Sequence, residues 1–166
     1  MLVQDTLPSR IEFATTFVQR LLPGLSGARF ALFPFTMDGY VQVPLTSDSL
    51  AIADLLSSLS PNIITLQGTD LTQSLDTLFV RILEAEERAK TRGSDWSGAQ
   101  VLLLSDGESH VELQIKVFEK FRTAHIPIFS IVTGTPSGGM GQVEVKNVED
   151  FLTRLIEKSD RFLGVL

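Results

Sequence analysis

With 166 residues, 43% of them hydrophobic and 20% charged, the chain has the size and balance of one globular domain with a substantial core. A net charge of −6 without any Lys/Arg run argues against a nucleic-acid partner, and the absence of cysteine excludes disulfides, thiolate metal sites and cysteine nucleophiles. No apolar run approaches the ~18 residues that cross a bilayer, and Met1 is not followed by a signal-peptide pattern, so no membrane segment is expected.

Ser9-Arg10-Ile11-Glu12 is a capping box behind Pro8, and Ile11, Ala14, Phe17, Val18, Leu21 and Leu22 recur at helical spacing until Pro23-Gly24. Arg29 to Phe35 predicts a strand. Met37-Asp38-Gly39 turns it as an Asp-Gly hairpin into a second strand, Tyr40 to Val43. Ser47 or Asp48 caps a helix with Ile52, Leu55, Leu56 and Leu59 on one face, which ends before Pro61. The longest helix runs from Leu71 to about Lys90. Its buried stripe is Leu71, Leu75, Leu78, Phe79, Ile82 and Leu83, and its wet end carries Glu84, Glu86, Glu87, Arg88 and Lys90.

Val101-Leu102-Leu103-Leu104 is a continuous aliphatic run, expected of a strand buried on both faces of a parallel sheet. Residues 111–124 follow as a helix with Leu113, Val117 and Phe121 inward, then a strand from Pro127 to Val132. Gly134 to Gly141 is a glycine-rich loop, Gln142 to Lys146 a short edge strand, and Asn147 the cap of a last helix. Phe162 to Leu166 closes the chain as a final strand. Strands alternating with helices, without a repeat or a domain boundary, predict one α/β domain over 1–166. The expected architecture is a three-layer αβα sandwich around a mostly parallel sheet.

Two loops draw attention. Ser105-Asp106-Gly107-Glu108 follows the central strand, at the carboxyl edge where open α/β sheets bind ligands. Gln67-Gly68-Thr69-Asp70 opens the longest helix with hydroxyl and N–H groups at its N-terminus. Each also has a plain structural reading, since Asp106, Thr69 and Asp70 are all residue types that cap helices. His110 reads as a solvated loop residue, and His125 as a helix C-terminal residue that suits the dipole. Ser105 and Ser109 lack a His–Asp partnership. Gly138-Gly139-Met140-Gly141 lacks the Lys-Ser/Thr of a phosphate loop.

The order of elements and four stretches resemble a von Willebrand factor A domain, and within that family the bacterial aerotolerance (Bat) proteins of the BatB type. The stretches are Leu7-Pro8-Ser9-Arg10-Ile11-Glu12, Tyr40-Val41-Gln42-Val43-Pro44-Leu45-Thr46, Gln67-Gly68-Thr69 and Leu102 to Glu108. The resemblance implies a Rossmann-like fold with a metal-ion-dependent adhesion site, a Mg²⁺ ion held by oxygen ligands from three loops. Thr69 matches the second-loop threonine and Asp106 the third-loop aspartate. The first loop, Asp-x-Ser-x-Ser after the family's first strand, has no counterpart: Asp95-Trp96-Ser97 lacks the second serine, and Asp48-Ser49 has the wrong spacing. The chain aligns as starting just past that first strand, an N-terminally incomplete domain.

In the family's order that strand lies between Arg29–Phe35 and Val101–Ser105. The slot is therefore expected to close by direct pairing of those two strands, or to be filled from another molecule in a strand-swapped homo-oligomer. Pro34 reads as a sign that its strand has lost a neighbour. Mg²⁺ binding is expected to be weak or absent. The leading functional expectation is a non-enzymatic protein-interaction module with an unidentified protein partner. The family's setting is the bacterial inner membrane, with the domain facing the periplasm. The alternative is a metal-dependent phosphoryl-transfer or hydrolytic α/β enzyme using Asp106, for which Asp38 is the only candidate second carboxylate.

Overall fold

Two apolar runs form two of the three interior strands of a five-stranded sheet. The computed structural model describes residues 10–25, 27–59, 68–105, 113–132 and 162–165. In chain order these give α1 (Arg10–Leu21) with a 3₁₀ turn (Leu22–Leu25), β1 (Phe30–Phe33), β2 (Val43–Thr46), α2 (Ser49–Ser58), α3 (Leu71–Thr91), β3 (Val101–Ser105), α4 (Lys116–Thr123), β4 (Ile128–Val132) and β5 (Phe162–Val165). The sheet order is β2-β1-β5-β3-β4, with β2 antiparallel and the other neighbours parallel. The expected edge strand at 142–146, the helix capped by Asn147 and the glycine-rich loop lie outside the described residues.

Every residue of β1 and β3 is buried, as the apolar runs Phe30–Phe33 and Val101–Leu104 require, with polar Ser105 buried at the end of β3. Their side chains alternate between two cores. Phe30, Leu32, Leu102 and Leu104 pack with Val18 of α1 and Ile52 of α2. Ala31, Phe33, Val101 and Leu103 pack with α3 and α4 through residues such as Ile82 and Phe121. Helices therefore cover both faces, as the alternating pattern predicts. A fully buried side chain of the size of Phe or Leu contributes ~1.5–3 kcal/mol, so these two layers dominate the stability. The Phe79 and Phe121 rings meet edge-on at 5.1 Å and join α3 to α4.

The position of β5 overturns the expected closure of the slot. β1 and β3 do not pair with each other. The chain's own last strand runs parallel between them, with Leu32 opposite Leu163 on one side and Leu102 opposite Leu163 on the other. Burying two unpaired edges would cost ~1–3 kcal/mol per orphaned group, and β5 removes that cost from both at once. Pro34 is corrected too. It follows β1 rather than interrupting it, beyond the paired residues Leu32 and Phe33, and its carbonyl accepts from the Tyr40 N–H at 3.2 Å. A missing N–H costs nothing there, so it signals no lost neighbour. Pro44 does lie in a strand, but in the edge strand β2, where its ring is exposed.

The hairpin differs from its sequence signature. Phe35 and Gly39 form an isolated bridge around Thr36-Met37-Asp38, and β2 proper begins at Val43 instead of Tyr40, with irregular register between Phe30 and Leu32. Neither Asp38 nor Gly39 has a positive φ, so the tight turn that an Asp-Gly pair favours is not formed. Glycine is needed for another reason: a Cβ at Gly39 would fall on the Phe33 ring.

Two apolar residues expected inside are outside. Leu83 is 42% and Leu113 37% exposed. Leu83 lies past the arc of α3 that the sheet covers, while Leu113 precedes α4, whose first helical residue is Lys116. At the wet end of α3, Lys90 lies 2.7 Å from Glu86, whose hydrogen bond and charge hold the exposed ammonium above the usual lysine value.

Candidate functional site

The carboxyl edge of the sheet collects the loop after β1, the N-terminus of α3, the end of β3 and the end of β5. Asp38, in the loop after β1, accepts on one oxygen from its neighbour Gly39 N–H at 2.7 Å and from Thr77 Oγ1, on α3, at 2.9 Å. The Thr36 carbonyl accepts from the Asp70 N–H at 2.9 Å and from the Ser74 hydroxyl at 3.4 Å. The first turn of α3 is thus stitched to the end of β1 by groups far apart in sequence. Asp70 is the helix cap, its Oδ1 accepting from the Gln73 N–H at 2.9 Å. Gly68 enters this cap with φ +108°, a backbone that a side chain would strain.

Thr69, the first candidate ligand, lies half-buried between Gly68 and Asp70 on this stitched loop. Ser105 is buried at the end of β3. Asp106, the second candidate, is the next residue but lies outside the described residues, as do Ser109 and His110. A second tie crosses the site: the Gln114 N–H, ahead of α4, donates to Thr72 Oγ1 at 3.0 Å. The start of α3 is thereby tied to the segment just ahead of α4. Nothing in the sequence points to Thr72 and Thr77, whose partners are about forty positions away. His125 lies at the far end of α4, away from this edge, with φ +56°.

A Mg²⁺ ion requires several hard oxygen donors in near-octahedral arrangement. Among the described residues no group of three or more His, Asp or Glu side chains is arranged to hold a metal. The two described carboxylates at this edge already serve N–H and hydroxyl donors, Asp38 in the hairpin loop and Asp70 in the helix cap. The described donor set does not fit the ion on its own.

The same bonds bear on acid–base chemistry. Asp38 is the carboxylate that the enzyme alternative requires beside Asp106, and it is held by two donors of its own loop and of α3. A separate groove of about 370 Å³ runs between the hairpin and α3, past Tyr40, Val41 and Leu45. Its charged groups pair among themselves, Glu84 accepting from Arg81 at 3.0 Å and from Arg88 at 3.3 Å.

No family model matches this chain, and no curated protein shows significant similarity to it. Solved structures of other proteins share its fold. A conserved hypothetical protein BatB from Bacteroides thetaiotaomicron superposes with a TM-score of 0.67 at 24% identity, over 99% of this chain and 84% of that one. An aerotolerance-related membrane protein from Bacteroides fragilis, carrying multiple mutations to serine, superposes with a TM-score of 0.65 at 20% identity, over 100% of this chain and 86% of that one. Among the described residues no helix is long and apolar enough to cross a membrane.

Proposed function

We infer that this chain is a non-enzymatic protein-interaction domain of von Willebrand A type, with an ancestral Mg²⁺ site at the carboxyl edge that is incomplete. The observation that supports this most is the engagement of Asp38. A phosphoryl-transfer or hydrolytic site needs a second carboxylate free to take a metal or a proton beside Asp106. Asp38 instead closes the hairpin loop and anchors Thr77. The fold shared with BatB favours the same reading, and the Bacteroides fragilis neighbour, a membrane protein, suggests a membrane-associated setting for the parent molecule. In that setting the domain faces the periplasm and meets a protein partner there.

The test is a panel of phosphatase, ATPase and esterase substrates with Mg²⁺ and Mn²⁺ supplied, run on the chain and on Asp106→Asn. No turnover above background is expected from either. A turnover that survives purification and disappears with Asp106→Asn replaces the interaction reading with the enzyme.

A further inference from the structure

The strand at the centre of the sheet is the last strand of the chain, and the walls on either side of it are braced without it. On the β1 side, the end of the strand is tied to α3 by Asp70 N–H to the Thr36 carbonyl at 2.9 Å and by Thr77 to Asp38 at 2.9 Å. On the β3 side, α3 is tied to the segment that follows β3 by Gln114 N–H to Thr72 at 3.0 Å, and to α4 by Lys120 to Asp76 at 2.8 Å. The Phe79–Phe121 ring contact adds an apolar link. The first core cluster links the halves on the opposite face, where Leu102 and Leu104 join Phe30 and Leu32. None of these hydrogen bonds, nor the ring contact, involves β5. The slot between β1 and β3 is thus shaped by the helices as well as by the strand inside it.

We propose that this slot is a strand-binding site whose second ligand is the Phe162–Val165 strand of another copy of this chain, giving a reciprocally exchanged dimer. The occupant is chosen by complementarity already present. The same four residues fit the slot in parallel register with Leu32 and Phe33 on one side and with Val101 to Leu104 on the other. Exchange reproduces every one of those backbone pairings, so the swapped and unswapped forms differ in chain connection rather than in contacts. An empty slot would expose two inner edges, so release of one β5 favours capture of another. At ~3.3 Å per extended residue, the chain between Val132 and Phe162 is far longer than the ~10 Å separating β4 from β5 across β3. Length therefore does not confine β5 to its own slot. This inference rests on the sheet order alone and is independent of the metal or enzyme readings.

The absence of cysteine makes the test direct. Leu102→Cys with Leu163→Cys places two thiols at register partners, within the Cα spacing that a disulfide accepts. The full chain and this variant are refolded at ~10 µM and at ~1 mM, the latter in the range where a second molecule competes with a tethered segment. Dimer is expected to rise at least ~5-fold in share between the two concentrations, and to persist on dilution because separation requires β5 to leave its slot. Oxidation of the isolated dimer should give covalent dimers on a denaturing, non-reducing gel, while the isolated monomer closes its disulfide within one chain. The unsubstituted chain supplies a readout that does not depend on the variant folding: co-refolded ¹⁴N and ¹⁵N chains should yield a mixed-mass dimer that persists on dilution. A chain that stays monomeric at both concentrations overturns the proposal. So does a dimer that re-equilibrates within seconds of dilution, or one whose cysteines close within single chains.

Discussion

Leu163 is the parallel register partner of Leu102, which sets a strand from the end of the chain against the most apolar strand of its middle. A strand paired on both sides uses its N–H groups inward, whichever neighbour they face. Leu163→Pro removes one of them in the centre of the sheet and leaves a buried carbonyl without its donor, which costs ~1–3 kcal/mol. Against the ~5–15 kcal/mol that holds a domain together, that is a large share. A fall in melting temperature of about 2–12 °C is expected, at ~2–4 °C per kcal/mol for a chain of this size. Pro44 provides the contrast, since the native chain carries a proline in its edge strand. A Leu163→Pro chain that melts where the parent does would remove β5 from the sheet centre.

The helix ends supply a second prediction through a matched pair. After α3, the Gly93 N–H donates to the Lys90 carbonyl at 3.0 Å and the Ser94 N–H to the Ala89 carbonyl at 2.9 Å, with Gly93 at φ +65°. After α4, the His125 N–H donates to the Arg122 carbonyl at 3.1 Å and the Ile126 N–H to the Phe121 carbonyl at 2.9 Å, with His125 at φ +56°. Both are Schellman motifs, but only the first has glycine at its left-handed position. A Cβ there costs ~1–2 kcal/mol, partly offset by the greater freedom of glycine in the unfolded chain. His125→Gly should therefore stabilise the protein by ~0.5–1 kcal/mol in urea titration, while His125→Ala, which keeps the Cβ, should not. Equal stability of the glycine and alanine variants would show that the backbone strain is absent.

Gly39 tests space rather than dihedral angle. Its Cβ position is occupied by the Phe33 ring, which is itself 1% exposed and has no room to retreat. Gly39→Ala forces that ring off its rotamer or the hairpin off β1, and overpacking of this kind costs ~1–3 kcal/mol. Gly24 is the control. Nothing lies within 4 Å of its Cβ position, so Gly24→Ala should be neutral or slightly stabilising. The double change Gly39→Ala with Phe33→Leu is expected to recover part of the loss, measured as non-additivity in a double-mutant cycle. Additive costs would place the clash elsewhere.

Which of these features the sequence discloses follows from how local their causes are. Val101 to Leu104 announce a strand buried on both faces because four aliphatic neighbours leave no polar face. Asp48 and Asp70 announce helix starts because a cap acts within three residues. Phe162 to Val165 can be recognised as a strand from their own composition, but no local feature states that β1 and β3 are their neighbours. That assignment depends on the whole sheet. Leu83 misleads because helical periodicity marks an apolar arc without saying how much of it the sheet covers. Gly39 misleads because an Asp-Gly pair most often serves a turn dihedral, whereas here it clears space for Phe33. At the site, Thr69 lies at the start of α3 and Ser105 at the end of β3, while Asp106 lies outside the described residues. The ties through Thr36, Thr72 and Thr77 are long-range and carry no sequence signal.

Metal binding offers the sharpest test of the proposed metal site, because the position of β5 dictates where further ligands would have to be added. In the parent chain, Thr69 and Asp106 can replace too little of the hydration shell that Mg²⁺ gives up reluctantly. No saturable Mg²⁺ or Mn²⁺ binding is expected by calorimetry at low-millimolar concentration. Because β5 runs parallel to β3, residues added after Leu166 emerge at the edge where β3 ends, one strand spacing of ~4.8 Å away. An Asp-x-Ser-x-Ser segment appended there is expected to bring a carboxylate and two hydroxyls to the edge where β3 ends and α3 begins. Saturable Mg²⁺ binding should appear, and Asp106→Ala or Thr69→Ala in that background should abolish or weaken it at least ~10-fold, about 1.4 kcal/mol. The same motif placed behind an added strand before Met1 should bind nothing, since the slot that strand would enter already holds β5. Binding by the N-terminal graft alone would show that β5 yields its place to an added strand. Failure of both grafts would reject the ancestral metal site at Thr69 and Asp106, whatever becomes of the fold.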